Sequence, residues 1–187
     1  MNIAFVIYDG MTTLDFIGAY DALTRLHSMG FMPGVRWDIC ARTAQVRDHS
    51  GLCVEATCVS RPLSGYNLVV VPGGFTARKL MHDDVFVEWV RTAADARTKA
   101  SVCTGSLLLG AAGFLKEKRA TTHPTAYDLL APLCARVVRE RVVDEGDVIT
   151  ARGVTSSISL GLYLVQRIAG QEVRARIQQQ MDYPYEE

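Results

Sequence analysis

Short apolar runs alternate with longer amphipathic stretches along the chain, and this alternation predicts strands followed by helices. Residues 3–8 are almost wholly apolar and are followed by Asp9-Gly10, a combination that indicates a strand and then a turn. Thr12 or Thr13 is expected to cap a helix that runs to about residue 30, because apolar side chains recur there at helical spacing. The same reasoning predicts strands at 35–40, 68–71, 100–102, 119–122, 137–143 and 147–150, a hairpin at 45–57, and helices at 85–96, 104–112, 154–169 and 172–180.

The run at 68–71, Leu-Val-Val-Val, is apolar at every position, which is typical of a central parallel strand that is buried on both faces. Strands that alternate with helices predict a mainly parallel sheet covered by helices on both sides. The sequence shows no internal repeat, low-complexity segment or linker, so residues 1–187 are expected to form a single α/β domain. The tail at 181–187 is expected to fray or to lie against a neighbour.

The composition is that of an ordinary globular protein and contributes mainly by exclusion. Of 187 residues, 49% are hydrophobic, and 20 Lys and Arg balance 20 Asp and Glu, so the formal net charge is zero. Without a basic excess, neither nucleic acid nor an anionic membrane is expected as a partner. The most apolar stretch, 107–115, contains glycines and is far shorter than a membrane span, and the first residues lack a signal-peptide pattern. A cytoplasmic location is therefore expected.

The cysteines and histidines do not form a pattern typical of disulfides or metal sites. The five cysteines are odd in number in a chain that is not small, which argues against a disulfide framework. Cys53 and Cys58 lie in one strand-like stretch, where their spacing places them on opposite faces. The four histidines are scattered, and the chain has neither the glycine fingerprint of dinucleotide sites nor a phosphate-binding loop. No metal and no organic cofactor is expected.

Residues 100–106, Ala-Ser-Val-Cys-Thr-Gly-Ser, combine a short predicted strand with the start of a helix rich in small residues. This is the pattern of a nucleophile elbow with a cysteine, Cys103, in the position of the nucleophile. A sharp turn of this kind raises the side chain above the carboxyl edge of the sheet. The free N–H groups and the dipole of the following helix favour a thiolate, so the sequence predicts that the pKa of Cys103 is lowered.

Two further loops are expected at the same edge, where ligands of open parallel sheets bind. Asp15 follows the first predicted strand, and Gly73-Gly74 follows the central one. The N–H groups of Gly73 and Gly74, with that of Thr104, are placed to form an oxyanion hole. Alone, Cys103 would be interpreted as a core thiol and Asp15 as an acid at a helix N-terminus. Their coincidence with the glycine loop favours a catalytic site.

His123 and Arg152 are the remaining candidates, because each follows a predicted strand. His123 can reach the edge that carries Cys103, and a Cys–His pair would be typical of a thiol hydrolase. Pro124 fixes the local turn and no third, orienting group is evident, so a packing or hydrogen-bonding role is favoured for this histidine. For Arg152, an ion pair is favoured over the binding of a substrate carboxylate.

Taken together, these segments resemble the DJ-1/PfpI superfamily over nearly the whole chain. The segments that carry the resemblance are Asp-Gly-Met-Thr-Thr-Leu-Asp at 9–15, Val-Pro-Gly-Gly at 71–74, Ser-Val-Cys-Thr-Gly at 101–105, Ala-Thr-Thr-His at 120–123 and Gly-Val-Thr at 153–155. Within the superfamily the sequence is most similar to the isonitrile hydratases. Asp15 stands where many members have Glu, and Thr104 follows the cysteine where protease-like members have His.

The resemblance implies a flavodoxin-like three-layer α-β-α sandwich, a homodimer with the site near its interface, and a small-molecule substrate. It implies the hydration of an isonitrile to an N-substituted formamide without a metal or organic cofactor. Cys103 would attack the isonitrile carbon to give a thioimidate, and Asp15, with a raised pKa, would act as general acid and base. Thr104 would hydrogen-bond the intermediate, and Gly73 and Gly74 would hold developing negative charge.

The sequence departs from the hydratase pattern at two positions of the expected pocket. Pro124 stands where the pattern has Trp, and Arg152 stands where it has Gly. Two alternatives stay open: a glyoxalase- or deglycase-like hydrolase of reactive carbonyls with His123 as helper, and a redox or ligand sensor in which Cys103 oxidises. Similar Cys-Thr-Gly segments occur in the sensor domains of AraC-type regulators, but residues 1–187 leave no room for the helix-turn-helix domain of those proteins.

Overall fold

Among the residues that the structure describes, the strands form one large sheet and two small ones. The computed structural model describes residues 1–184. Within that range the strands, numbered in chain order, are β1 (Asn2–Val6), β2 (Arg36–Ala41), β3 (Gln45–Arg47), β4 (Cys53–Glu55), β5 (Cys58–Val59), β6 (Leu68–Val71), β7 (Thr98–Val102), β8 (Arg119–Ala120), β9 (Arg136–Val137), β10 (Val142–Asp144) and β11 (Val148–Ala151). The large sheet has the order β10-β11-β7-β6-β1-β2-β5.

The large sheet is mainly parallel, as the sequence predicts. Every neighbouring pair from β11 to β5 is parallel, and only β10 pairs antiparallel, with β11 at one edge. All four residues of β6 are buried, as expected for a central strand covered on both faces. The strands β1, β6 and β7 are direct neighbours, so their carboxyl ends meet at one edge of the sheet.

The helices pack on the sheet in two groups. They are α1 (Thr13–Ser28), α2 (Ala77–Leu80), α3 (Asp84–Arg91), α4 (Gly105–Ala111), α5 (Tyr127–Leu130), α6 (Ser156–Ala169) and α7 (Gln171–Gln180). In one group α6 contacts both α1 and α7, and in the other α4 contacts α2, α3 and α5. The helices α1 and α6 approach closely because Gly18 carries no side chain: a Cβ there would lie 2.1 Å from Ser157 Oγ.

The antiparallel hairpin of β3 and β4 confirms the turn expected near residues 50 and 51. The Asp48 carboxylate closes this turn, because its Oδ1 atom accepts the N–H groups of Ser50 and Leu52. The hairpin also lies on the loop after β1, where the N–H of Gly10 donates to the Arg47 carbonyl at 2.7 Å. The loop that leads to α1 is therefore fixed by the hairpin as well as by the large sheet.

Four local expectations need correction. Residues 137–143 do not form one strand: β9 ends at Val137 and pairs with β8, whereas β10 begins at Val142 and pairs with β11. Cys53 and Cys58 do not share a strand, because the chain passes from the hairpin to the edge of the large sheet between them. The helix expected at 85–96 ends at Arg91 and continues as a 3₁₀ turn. No side chain caps α1 through a hydrogen bond, and the Thr13 hydroxyl instead donates to Asp48.

The tail follows α7 and turns back onto α6. The Tyr183 hydroxyl lies 3.0 Å from Ser159 Oγ and accepts a hydrogen bond from Arg141. This part of the tail therefore lies against a neighbouring helix, one of the two outcomes expected for it. Residues 185–187 lie outside the described residues. No helix between residues 1 and 184 combines the length and hydropathy that a membrane span requires.

Candidate active site

Three loops meet at the carboxyl edge of β1, β6 and β7. The loop after β1 leads to Asp15 in the first turn of α1, and the loop after β6 contains Gly73 and Gly74. The turn from β7 into α4 contains Cys103 and Thr104. Because the three strands are parallel neighbours, these residues lie together although up to 89 positions separate them in the sequence.

The elbow at Cys103 has the geometry expected from the sequence. Cys103 is buried and has a φ of 54°, in the left-handed region that residues other than glycine rarely adopt. Its N–H donates to the Ala151 carbonyl at 2.9 Å, and its carbonyl accepts from the Thr122 hydroxyl at 3.0 Å. Gly105 allows the turn, since a Cβ there would lie 2.3 Å from the Val71 carbonyl oxygen. The strained residue is thus held from several sides.

The Asp15 carboxyl lies beside the cysteine. Asp15 has no exposed surface, and its Oδ2 atom accepts the Gly73 N–H at 3.0 Å. Its Oδ1 atom has no hydrogen-bond partner among residues 1–184. A Cβ on Gly73 would lie 2.8 Å from Asp15 Oδ2 and also 2.8 Å from Cys103 Cβ. Carboxyl and thiol therefore flank the same glycine, and no larger residue fits there without displacing one of them.

Thr104 holds the second glycine of the loop. Its hydroxyl accepts the Gly74 N–H at 2.9 Å and donates to the Gly74 carbonyl, also at 2.9 Å. The N–H of Gly73 is bound to Asp15 in the same way. Of the three N–H groups expected in an oxyanion hole, those of Gly73 and Gly74 therefore already have acceptors within the protein. They organise the two side chains that flank Cys103, and the N–H of Thr104 opposes the rise in the pKa of the Cys103 thiol.

Burial dominates the electrostatics of the pair. It raises the pKa of Asp15 from an ordinary 3.8 to about 7, against the opposing effect of the Gly73 N–H and the thiol. Burial and the negative charge of Asp15 raise the pKa of Cys103 to about 12, although Thr104 opposes the shift. The expected lowering of the cysteine pKa is therefore wrong. Near neutral pH the pair can hold a single proton between carboxyl and sulfur.

Tyr8, the last residue of the first predicted strand, also belongs to this site. Its hydroxyl is buried and donates to the Pro72 carbonyl at 2.8 Å. Burial and the charges of Asp15 and Cys103 raise its pKa well above the ordinary value, while Arg78 opposes that shift. In the sequence, the feature that could have indicated this position was an aromatic residue with a polar hydroxyl at the carboxyl end of the first predicted strand.

His123 turns towards its own loop. Its Nδ1 atom lies 2.9 Å from the Thr125 hydroxyl and accepts the Thr125 N–H, so the ring caps the short turn that starts at Pro124. No hydrogen bond among the described residues joins His123 to Cys103. The contact of this segment with the elbow comes instead from the preceding residue, Thr122, through the Cys103 carbonyl.

Arg152 lies exposed in the loop after β11. Its N–H donates to the Arg141 carbonyl, but its guanidinium forms no ion pair with any residue between 1 and 184. The ion pair favoured from the sequence is therefore not formed within this range. Across the same range, no three His, Cys, Asp or Glu side chains are grouped closely enough to hold a metal ion.

The rim of the site carries an exposed aromatic residue. Phe75 directly follows Gly74 and is 75% exposed. The Arg78 guanidinium lies 5.6 Å from the centre of the Phe75 ring and donates to the Thr125 hydroxyl at 2.9 Å. Arg78 thereby joins the loop after β6 to the loop that contains His123.

Comparison with known proteins settles the family. The profile of the DJ-1/PfpI family matches residues 1–167. The chain belongs to the DJ-1/PfpI family. It is 36% identical over 185 residues to the isonitrile hydratase of Pseudomonas putida. The matched region covers 98% of this chain and 78% of that protein.

Solved structures agree with this assignment. A THiJ/PfpI family protein from Pseudomonas syringae is 30% identical and superposes with a TM-score of 0.88, over 100% of this chain and 76% of that one. DJ-1 from Schizosaccharomyces pombe is 17% identical and superposes with a TM-score of 0.82, over 98% of this chain and 100% of that one. The flavodoxin-like fold expected from the resemblance is thereby confirmed.

Proposed function

We propose that the protein hydrates an isonitrile, R–N≡C, to the N-substituted formamide R–NH–CHO. The observation that carries the proposal is the buried pairing of Asp15 with Cys103 on either side of Gly73. The 36% identity with an isonitrile hydratase over nearly the whole chain supports this choice of reaction. The proposed substrate is a small neutral molecule, because a charged one would have to bury its charge beside Asp15 and Cys103.

The first step forms a covalent intermediate. The Cys103 sulfur attacks the terminal isonitrile carbon, and its proton passes by way of the Asp15 carboxylate to that same carbon. The product is a thioimidate, R–N=CH–S–Cys103, and neither an oxidant nor a reductant is needed. A pKa of about 7 suits Asp15 to this transfer, because the carboxyl can both accept and release a proton near neutral pH.

The second step releases the formamide. Asp15 takes a proton from water as the oxygen attacks the imidate carbon, and it passes this proton to the nitrogen. The carbon–sulfur bond then breaks as the proton of the new hydroxyl group returns to the sulfur by way of Asp15, and R–NH–CHO leaves. We assign Thr104 to the support of this step: its N–H favours the thiolate form of the Cys103 sulfur, while its hydroxyl fixes Gly74.

The homodimer implied by the family is part of the same proposal. Leu14 and Ile17 flank Asp15 in the sequence of α1 and are 45% and 41% exposed. Apolar side chains of this size beside the site support an interface there. Sedimentation equilibrium of the wild type and of Ile17→Glu tests it, since a dimer through this face should dissociate in the variant, whereas Val59→Glu, at another exposed position, should not.

The function is tested by incubating the protein with cyclohexyl isocyanide and following N-cyclohexylformamide by mass spectrometry. Turnover should be lost in Cys103→Ala and in Asp15→Asn. The matched controls are Cys134→Ala, at a half-buried cysteine, and Asp21→Asn, farther along α1, and both should retain turnover. Quenching wild-type turnover should reveal the mass of the substrate added to Cys103. Near-full turnover by Asp15→Asn would contradict the acid–base role.

The two alternatives fit the geometry less well. A carbonyl hydrolase was expected to use His123 as a helper, but that ring is bonded to Thr125. A redox sensor was expected to have a Cys103 of low pKa, but burial and Asp15 raise it. Lactate formation from methylglyoxal by the wild type, without formamide formation from the isocyanide, would favour the first alternative instead.

A further inference from the structure

The peptide group between Pro72 and Gly73 has both of its polar atoms bound by buried side chains. The Tyr8 hydroxyl donates to its carbonyl oxygen at 2.8 Å. Its N–H, on Gly73, donates to Asp15 Oδ2 at 3.0 Å. Carbonyl and N–H belong to one rigid plane, so an atom that fixes one end also fixes the direction of the other.

We propose that Tyr8 is a positioning residue for Asp15: its hydroxyl sets the plane of the Pro72–Gly73 peptide, whose N–H holds the Asp15 carboxyl beside Cys103. For its effect on turnover, this inference rests on the proposed function. Its effect on the carboxyl itself does not require an isonitrile.

The surroundings leave the peptide few other supports. A Cβ on Gly105 would lie 2.8 Å from the Pro72 carbonyl oxygen, so the elbow packs closely against this atom without donating to it. Pro72 itself has no N–H. A hydrogen bond at the carbonyl also polarises the peptide and strengthens its N–H as a donor. Tyr8 therefore acts on Asp15 both by orientation and by polarisation.

The charged groups around this chain of contacts are few. Asp15 on α1 faces the Cys103 thiol on the elbow, and Tyr8 faces both of them and Arg78 on α2. Without the tyrosine hydroxyl, the Gly73 N–H stabilises the ionised carboxyl less well, so the carboxyl should keep its proton to a higher pH. If the loss of the hydroxyl merely let water reach the carboxyl, the pH at which Asp15 ionises would fall. The two explanations therefore predict opposite changes.

The test is the pH dependence of Cys103 alkylation by iodoacetamide, followed by mass spectrometry of the Cys103 peptide. The rate should rise with pH as the Cys103 thiolate forms beside the neutral carboxyl, level off near pH 7 because ionised Asp15 opposes the thiolate, and rise again towards the Cys103 pKa of about 12. In Tyr8→Phe the levelling should move upward by about 0.5–1 pH unit, the equivalent of one neutral hydrogen bond. The control is Tyr20→Phe, which removes a tyrosine hydroxyl on α1 that accepts only from Trp37 among the described residues, and it should leave the profile unchanged.

A folded Tyr8→Phe protein with the wild-type alkylation profile would overturn the proposal. If that variant does not fold, 3-fluorotyrosine at position 8 keeps the ring and makes its hydroxyl a stronger donor, so the levelling should move downward, and an unchanged or upward profile would overturn the proposal. In turnover, Tyr8→Phe should lower kcat with little change in KM. If the alkylation profile shifts and no isonitrile is hydrated by any form, the positioning role stands and the proposed function fails.

Discussion

The Thr104 hydroxyl lies 2.9 Å from both the backbone nitrogen and the backbone oxygen of Gly74. One small side chain thus satisfies two buried polar atoms of the loop that approaches the cysteine. Since Gly73 precedes Gly74 and binds Asp15, this pair of contacts ties the elbow to the acid. The residue after the nucleophile therefore contributes to the site chiefly by holding the opposite loop in place.

Replacement of Thr104 by valine should separate the effect of its hydrogen bonds to Gly74 from the effect of its shape. Valine matches threonine in volume but can neither accept nor donate, so the Gly74 N–H and carbonyl lose their partner in a buried place. The free energy of unfolding should fall by about 1–3 kcal/mol, and turnover should fall with it. Thr104→Ser keeps the hydroxyl and should remain close to the wild type. Urea denaturation of the three proteins measures the difference, and equal stability of the valine and serine forms would contradict this account.

The glycine at position 73 should not tolerate even one added methyl group. In Gly73→Ala the Cβ would lie 2.6 Å from the Thr104 nitrogen and 2.8 Å from Asp15 Oδ2, so the loop and the carboxyl must move apart. We expect a loss of about 1–3 kcal/mol in stability and the loss of most isonitrile turnover.

The matched control for Gly73→Ala is Gly34→Ala. A Cβ at Gly34 meets nothing within 4 Å, and alanine at such a site narrows the unfolded ensemble. Its stability should equal or slightly exceed that of the wild type by thermal unfolding. Wild-type turnover in Gly73→Ala would show that the close approach of Asp15 and Cys103 is not needed.

The sequence was sufficient to predict the sheet and the meeting of the three loops, because these depend on local patterns. Alternating apolar runs and helical spacing predict parallel strands, and the carboxyl ends of parallel neighbours meet at one edge. The sharp turn at Cys103 could be recognised from its small neighbours, since a tight turn from strand to helix requires them. The break after Val137 and the separation of Cys53 from Cys58 were missed because strand pairing depends on distant partners.

The partners of the site residues could not be predicted in the same way. Whether the N–H of Gly73 is free or bound depends on the position of Asp15, which lies 58 residues away. The pKa of Cys103 was expected to be low because a helix N-terminus is visible in the sequence, whereas burial and a neighbouring carboxyl are properties of the folded chain. The role of Tyr8 depends on a contact with Pro72 across 64 residues.

Asp15 should make the stability of the protein fall as the pH rises from about 4 to about 7. Its pKa in the folded protein, about 7, lies above its ordinary value of 3.8, so in this range the folded state holds a proton that the unfolded state has released. Stability is therefore highest below the lower value and is lost as pH approaches the upper one, by up to about 4 kcal/mol.

Asp15→Asn should remove this pH dependence. Relative to the wild type, the variant should gain stability steadily across the window and no further above it. Urea denaturation at several pH values measures this difference, with Asp21→Asn on the same helix as the control, because that side chain is about half exposed and pairs with Arg25. A constant difference between wild type and Asp15→Asn from pH 4 to pH 7 would show that Asp15 is not buried as described.

Cys103 should be less reactive than an exposed cysteine until the neighbouring charge is removed. Its pKa is raised to about 12 by burial and by Asp15, whereas Cys53 lies exposed on the hairpin. At neutral pH, iodoacetamide should therefore label Cys53 before Cys103 in the wild type. In Asp15→Asn the carboxylate charge is gone, which lowers the pKa of Cys103, and its labelling should accelerate by up to about tenfold for each pKa unit regained.

Labelling of Cys53 serves as the internal control, because its rate should be the same in both proteins. If Cys103 is instead labelled first in the wild type and slows in Asp15→Asn, the thiolate is the stable form and the proton rests on Asp15, and the first step of the proposed reaction then begins with the carboxyl as acid.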